Sequence, residues 1–383
     1  MTKSRNDIVN NPDELSLLDF PSDLLRIPEG KTEGVSITSA CSEEDATTVM
    51  RTLSETCTTF HAFFKPELEK RKLLNHVLKG TEKDKEKVMA AAKTHPELFF
   101  IKTTTQDGAM DLDGNRRTIK DWSPYQALFG TSDVDMLLAV KKDLDAYLDK
   151  LKDGHQFAED HVKEKFPNGF DFPESKYDFS GLKAAITNDQ QLIQTGNPNQ
   201  TTLAALEQFR KDFKPGTVTV GHHFNMKDLI KAHQVYDENW QPWEPKQLKF
   251  FSLGVIGFLE RLMTRFYLML TCQGIRNHTQ PCKRMVEVDD YVHDNSVAVD
   301  ENGRRKKLTV LPLDGDPALR LGAGFVIDSY CEAAGVMGFV VRRYVLTWRV
   351  AAIGKLCQAN TTKLSRLYAA SYTRDNIMHN HMK

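Results

Sequence analysis

The sequence predicts a mainly α-helical fold, in which helix pairs are followed by a larger helical domain that carries a small β-hairpin. Apolar residues recur at helical spacing along most of the chain, between polar caps and glycine or proline stops. By contrast, SVAVDENGRRKKLTVLPL alternates on both sides of Asn302-Gly303, as expected for a hairpin with a type I′ turn. The 383 residues are enough for two or three domains, each with its own core.

The chain divides where its composition changes. Residues 1–41, rich in Asn, Asp, Ser and Pro, are expected to form a loosely ordered lead-in. The polar residues from Cys357 onward are expected to fray. Between these ends we predict a helix-pair module at residues 42–154 and a helical domain at 177–280. A hairpin with apolar C-terminal helices is predicted at 281–372, and a tail at 373–383.

The first helix pair is predicted in RKLLNHVLKGTEKDKEKVMAAAKTHPELF. Pro66 is expected to end the preceding helix, and Gly80 is expected to end the helix that begins at Glu67. Thr81 is positioned to cap the second helix, which would stop before Pro96. These residues therefore predict a helix, a tight turn and a second helix.

A second helix pair follows an Asp/Gly turn at residues 111–114. Ser123-Pro124 supplies the residue types preferred at the N-cap and first position of a helix, and Ser132 is expected to cap the next one. A helix pair introduced by such a turn is the plan of an ankyrin repeat. Apolar residues keep helical spacing in the longer helix at Met136, Leu137, Val140, Leu144, Leu148 and Leu151.

Loops and helices alternate after Gly154. The prolines and glycines of FPNGFDFPESKYDFSG favour a loop. The segment ENWQPWEPKQ predicts a corner at which Trp240 and Trp243 pack onto the following helix. The predicted helices cover residues 180–194, 202–213, 226–236 (capped by Asn225) and 247–272, with one or two more within 325–352.

Charge and cysteine content argue against several classes of function. The 51 basic residues nearly balance 52 acidic ones, so no bulk field favours nucleic acid, and no nucleic-acid partner is expected. Six scattered cysteines without a C-x-x-C pair favour reduced thiols in a cytosol, with no metal site and no cofactor. No cleavable signal is visible, and charges interrupt the apolar run 248–272, so we predict no transmembrane segment.

The turn between the two helix pairs supplies the predicted binding residues. Arg116, Arg117, Lys120 and Trp122 fall in an insertion, residues 115–122, after the Asp/Gly turn. Inserted turns of repeat proteins often lie on the binding face. We therefore expect these four side chains to be exposed and to contact a partner.

Catalytic candidates are few, because the sequence has no P-loop, dinucleotide-binding, serine hydrolase or kinase motif. His222-His223 could supply a metal ligand or a general base, with Arg343 as a further polar group. The alternative, which we favour, is a loop with one packed and one solvated histidine. Likewise, Cys272 or Cys282 could pair with a histidine, but buried structural thiols are expected at all six cysteines.

One compact basic run, Arg304, Arg305, Lys306 and Lys307, lies beside the predicted hairpin turn. It could bind phosphate, an acidic partner or a nuclear import receptor. The favoured alternative is a solvated hairpin edge that its cations protect from pairing with another strand.

The segment from HPELFF to DVDMLLAV resembles the divergent ankyrin-like region of Dot/Icm (type IVB) secreted effectors of intracellular bacteria. ENWQPWEPKQLKFFSLGVIGFLERLMTRFYLML is similar to the Trp-rich helical region that follows in such effectors. The resemblance is strongest over residues 95–140, and Gln126 stands where an ankyrin repeat usually has histidine. Four features are shared. A helix pair ends in a P-x-L motif at Pro96 and Leu98, and a D-x-x-G turn follows at residues 111–114. A helix that begins with proline or an aromatic residue comes next at 123–128, and an acidic helix that contains methionine follows at 133–136.

The resemblance implies secretion into the cytosol of a host cell without a cleavable signal peptide; otherwise a cytoplasmic protein is expected. It carries no activity and no catalytic residues. Our first hypothesis is a translocated effector that acts as a protein-interaction module on a host protein. The second is a protein-modifying transferase or hydrolase with its site in the C-terminal helical region, and the third is nuclear targeting or nucleic-acid binding through residues 304–307.

Overall fold

A computed structural model describes residues 51–52, 58–111, 113–272, 292–299, 305–309, 350–351 and 353–369. The chain divides into two compact units, Met1–Leu68 and Glu69–Lys383. The described residues are mainly helical, with a small three-stranded sheet and a separate two-stranded hairpin. The predicted fold class is confirmed at this level.

The described helices fall into two groups with a further helix near the C-terminus. The first group comprises α1 (Thr58–Lys79), α2 (Glu82–Thr94), a 3₁₀ turn (Pro96–Phe100), α3 (Pro124–Gly130), α4 (Val134–Leu148) and α5 (Gly154–Lys165). The second comprises α6 (Ser180–Thr187), α7 (Gln190–Thr195), α8 (Gln200–Asp212), α9 (Met226–Glu238), α10 (Pro245–Phe251), a π-helical turn (Ser252–Ile256), α11 (Gly257–Leu262) and α12 (Arg265–Cys272). The last helix, α13, covers residues 353–369.

Five strands lie among the described residues. The three-stranded sheet has the order β1 (Thr103–Met110), β2 (Arg116–Trp122) and β3 (Thr217–Val218). In it, β1 and β2 are antiparallel, whereas β2 and β3 are parallel. β4 (Val292–Val299) and β5 (Arg305–Thr309) form the predicted C-terminal hairpin, and its turn lies outside the described residues.

Several predicted helix ends are confirmed by their caps. Thr81 and Asp84 form a reciprocal capping box at α2, and Ser123 and Gln126 form another at α3. Gly80 takes a φ of +62° after α1, a conformation that glycine adopts without strain.

Other predicted helix boundaries are wrong. Asp133, not Ser132, caps α4, because its carboxylate accepts the Met136 N–H at 2.9 Å. Pro66 lies inside α1 instead of ending the preceding helix. Leu151 lies beyond the end of α4 and is exposed, although the five preceding apolar positions are buried.

In the described part of the chain, two clusters of buried apolar side chains form the core. Trp122 and Phe129 belong to the first, which α1 to α5 and the sheet surround, and Phe251 belongs to the second, built by α6 to α12. Helix α13 contributes Leu364 to the first cluster and Cys357 to the second. The expected fraying from Cys357 is therefore wrong through residue 369, because this polar-looking segment buries one apolar side.

In the C-terminal helical region, two helices that were predicted to be continuous are interrupted. Residues 180–194 form two helices instead of one, and the single helix expected over 247–272 is interrupted by the π-helical turn and again after α11. The corner is confirmed for Trp243: its indole N–H donates to Thr187 Oγ1 at 2.8 Å, and its ring packs on Phe251 of the following helix. The ring of Trp240 contacts Tyr236 of the preceding helix, α9. The helices expected within 325–349 lie outside the described residues.

Candidate interaction surface and the buried histidines

The predicted insertion is an antiparallel β-hairpin with a tightly hydrogen-bonded turn. Asp111 organises that turn: its Oδ1 accepts the N–H groups of Asp113 and Asn115, at 3.0 and 2.8 Å. Gly114 follows with a φ of +82°, where a side chain would be strained. The Asp/Gly signal therefore marks the turn correctly, but it connects two strands.

Two of the four predicted binding residues are buried, so the expectation that they are exposed is wrong. Trp122 is 0% exposed, and its indole N–H donates to the Val218 carbonyl at 3.1 Å. Arg117 is 6% exposed and forms an ion pair with Asp107 at 3.4 Å. Its guanidinium also donates to the Leu262 carbonyl, so Arg117 ties the hairpin to the end of α11.

The geometry of a β-strand explains this outcome. Side chains alternate across a strand, so Arg117 and Ile119 point inward while Arg116 and Lys120 point outward. Asp121 breaks the alternation with a φ of +60°, and its N–H donates to Thr104 Oγ1. The kink turns Trp122 inward, a position that simple alternation would have exposed.

The other two predicted residues are exposed. Arg116 and Lys120 have no ion-pair partner among the described residues. Thr118 lies between them on β2 and pairs with Gln106 of β1, and Thr104 completes the same side of the ladder. We call these five residues the hairpin face: it is polar, positively charged and held from behind by Arg117 and Trp122.

His222 is half-buried, and both of its ring nitrogens are hydrogen-bonded. Nε2 lies 2.7 Å from the Phe170 carbonyl oxygen, which can only accept, so Nε2 carries the proton. Nδ1 of the neutral ring therefore accepts from Ser132 Oγ, 3.1 Å away. Burial lowers the pKa of His222 to about 4, which keeps the ring neutral near pH 7.

His223 is packed in the core, as one half of the favoured interpretation predicts. Its ring meets Trp122 edge-on at a centroid distance of 4.7 Å, and neither ring nitrogen has a hydrogen-bond partner in the described part of the chain. Burial, followed by the charge of Arg117, holds the pKa of His223 well below its usual value. Gly130 permits this packing, because a Cβ there would lie 2.3 Å from His223 Nε2.

The hydrogen bond between His222 and Ser132 stabilises the fold and is not accessible to a substrate. A serine hydroxyl that donates to a neutral imidazole is the arrangement that activates a nucleophile. Ser132, however, is only 1% exposed, so a substrate has no access to its oxygen in this conformation. The pair instead fixes the turn between α3 and α4, where Ser132 holds a strained φ of +59°.

Only some of the remaining predicted site residues lie among the described residues. Arg343 and Arg304 lie outside the described residues, as does Cys282. Arg305, Lys306 and Lys307 belong to β5, whose backbone pairs with β4. Of the cysteines, Cys357 is buried, and burial raises the pKa of its thiol to about 12.

Within the described ranges, no three His, Cys, Asp or Glu side chains lie close enough together to hold a metal ion. No described helix has the length and apolar character needed to cross a bilayer. No protein-family model, curated protein or solved structure matches the chain.

Proposed function

We propose that this protein is an interaction module that binds an acidic surface of a host protein through the hairpin face. The observation that carries the proposal is the pair of exposed cations, Arg116 and Lys120, without ion-pair partners among the described residues. Cations that no carboxylate neutralises are available to steer and hold an acidic partner.

Anchoring of the hairpin supports the proposal. Arg117 and Trp122 attach β2 to α11 and β3, so the outward residues are presented by a strand that packing holds in place. A preorganised surface loses less conformational entropy on binding than a free loop does. The burial of these two residues therefore removes them as contacts and assigns them the role of support.

The ankyrin-like character of this region is part of the same proposal. Helices α2 and α4, the second helices of the two pairs, pack against each other, and Lys85 Nζ lies 2.9 Å from Asp135 Oδ2 between them. Stacking of equivalent helices is how repeat units share a core. The hairpin lies between the pairs, where ankyrin-like arrays carry their binding loops.

Delivery into a host cell is supported by the resemblance over residues 95–140. On that basis we propose a translocated bacterial effector that acts in the host cytosol. The enzymatic alternative gains no support from His222 and His223, because both rings are engaged in packing or hydrogen bonds with the protein itself.

Charge reversal on the hairpin face tests the proposal. We expect Arg116→Glu/Lys120→Glu to weaken capture of the host partner by at least about tenfold, since two attractive charges become repulsive. The matched control is Lys150→Glu/Lys152→Glu, which reverses two exposed cations just after α4. Quantitative affinity purification from host lysate should recover the same partner with the wild type and the control. Equal recovery with the hairpin variant would contradict the proposal.

A further inference from the structure

A cavity of about 430 Å³ opens among α7, α8 and α10. Its apolar part is formed by Leu206, Phe250 and Leu253. Pockets of this size are large enough to enclose a small organic molecule.

The π-helical turn shapes this cavity. Single π-turns inside helices are rare and occur frequently at functional sites. Here the turn carries Leu253 and Gly254, both of which line the cavity. A Cβ on Gly254 would lie 3.2 Å from Leu206 Cδ2, so the glycine allows α8 to approach the turn closely.

Three cations also line the cavity: Arg210 from α8, and Lys246 and Lys249 from α10. Cations from two helices thus converge on one opening, although the whole chain has a net charge of only −1. Charges that surround a concave, partly apolar site focus their field into it and attract anions.

Arg210 is partly buried in the wall of the cavity. Its guanidinium carbon lies 5.8 Å from the centre of the Phe258 ring, and its Nε is buried without a hydrogen-bond partner among the described residues. Glu207 and Asp113 act on Arg210 at longer range, yet neither forms an ion pair with it in the described part of the chain. A partly desolvated, unpaired guanidinium gains strongly from an anion, because charge-assisted bonds replace lost hydration.

We propose that this cavity binds a small phosphate monoester. The phosphate lies against Arg210, Lys246 and Lys249, and the organic part lies on Leu206, Phe250 and Leu253. A dianionic phosphate matches three cations better than a single carboxylate does, and arginine suits its oxygen geometry. The apolar lining gives an ester with a flat organic group an advantage over inorganic phosphate.

Isothermal titration calorimetry with phenyl phosphate tests the assignment. We expect saturable binding, with affinity reduced at least about tenfold by Arg210→Gln and by Lys246→Gln/Lys249→Gln. Lys211→Gln is the matched control, because this exposed neighbour of Arg210 does not line the cavity and should leave affinity unchanged. If Arg210→Gln fails to fold, the double lysine variant carries the test.

Further measurements compare related ligands and block the cavity. Inorganic phosphate should bind more weakly than phenyl phosphate, and benzoate should bind more weakly still. Asn197→Trp, which places a large ring at an exposed lining position, should block phenyl phosphate. The proposal is overturned by equal affinity for benzoate, by equal loss in Lys211→Gln, or by no saturation up to about 10 mM. Binding only to phosphatidylinositol phosphate vesicles would also overturn it, in favour of a membrane-bound lipid headgroup.

Discussion

The hairpin face and the cavity beside the π-helical turn are both positively charged, but their cations have different surroundings. Arg116 and Lys120 project from a strand whose neighbouring outward residues are polar. Arg210, Lys246 and Lys249 surround a hollow with an apolar lining. Charge alone therefore does not define the ligand: a polar strand surface suits a protein, whereas a partly apolar hollow suits a small anion.

The two regions also differ in what supports them. Behind the hairpin face lie Arg117, Trp122 and His223, which are buried and tightly packed. The cavity, by contrast, is bounded by Gly254 and the flexible end of Leu206. Substitutions should therefore destabilise the protein more on the hairpin side than on the cavity side.

The largest effect is expected from the neighbouring arginines of β2. Arg117→Ala should lower the free energy of unfolding by about 3–5 kcal/mol, because it leaves Asp107 buried without its ion-pair partner. Arg116→Ala, one residue away but exposed, should change it by less than about 0.5 kcal/mol. Urea unfolding followed by circular dichroism measures both. Equal destabilisation by the two variants would refute the assigned inner and outer sides.

A pair of glycine substitutions compares the two regions directly. Gly130→Ala should cost about 2–3 kcal/mol, because a Cβ would lie 2.3 Å from the His223 ring and 2.9 Å from the Trp122 ring. Gly254→Ala should change stability by less than about 1 kcal/mol, since the end of Leu206 can shift. Thermal and urea unfolding give the comparison. A greater cost at Gly254 would reverse the proposed difference in rigidity.

Acid should destabilise the hairpin side through two histidines. His161 of α5 is buried, and its Nε2 lies 2.7 Å from the Oγ of Ser123, the residue after β2. Burial lowers the pKa of His161 and of His222 to about 4, against 6.5 in an unfolded chain. The unfolded state therefore binds more protons as pH falls from 6.5 to 4, and stability decreases through that window. Each histidine should account for about 2 kcal/mol between pH 7 and pH 4.5. His222→Gln should flatten the measured pH profile.

The smallest effect is expected between the stacked helices α2 and α4. A double-mutant cycle with Lys85→Met and Asp135→Asn should give a coupling energy of about 0.5–1 kcal/mol, because the pair is only partly buried. Zero coupling would remove this ion pair as support for the ankyrin-like arrangement but would leave the hairpin face unaffected.

The sequence predicted correctly those features that depend on neighbouring residues, such as helix N-caps. Thr81 and Ser123 cap their helices as expected, because an N-cap depends on residues within one turn. The strand TTTQDGAM was missed, since its mostly polar residues show no apolar alternation; its pairing with β2 stabilises it instead. The inward turn of Trp122 depends on the kink at Asp121, which no periodicity reveals.

The candidate sites show the same limit. Arg116 and Lys120 were identified correctly as exposed residues, but alternation across a strand was needed to separate them from Arg117. The cavity was not predicted at all, because Arg210 and Lys246 are 36 residues apart in sequence and only the packed helices bring them together. A π-helical turn has no recognisable sequence pattern that would have marked the place.

Site-directed photo-crosslinking from position 118 tests whether the hairpin face contacts the partner protein. Thr118 lies on the hairpin face between the two exposed cations, and Lys211 provides an exposed control position on α8. A photoreactive residue is placed at position 118 or at position 211, and each variant is irradiated in host lysate. We expect one dominant host protein to be crosslinked from position 118 and not from position 211. Arg116→Glu/Lys120→Glu should abolish that product. The same products from both positions, or none from position 118, would contradict the claim that this face binds the partner.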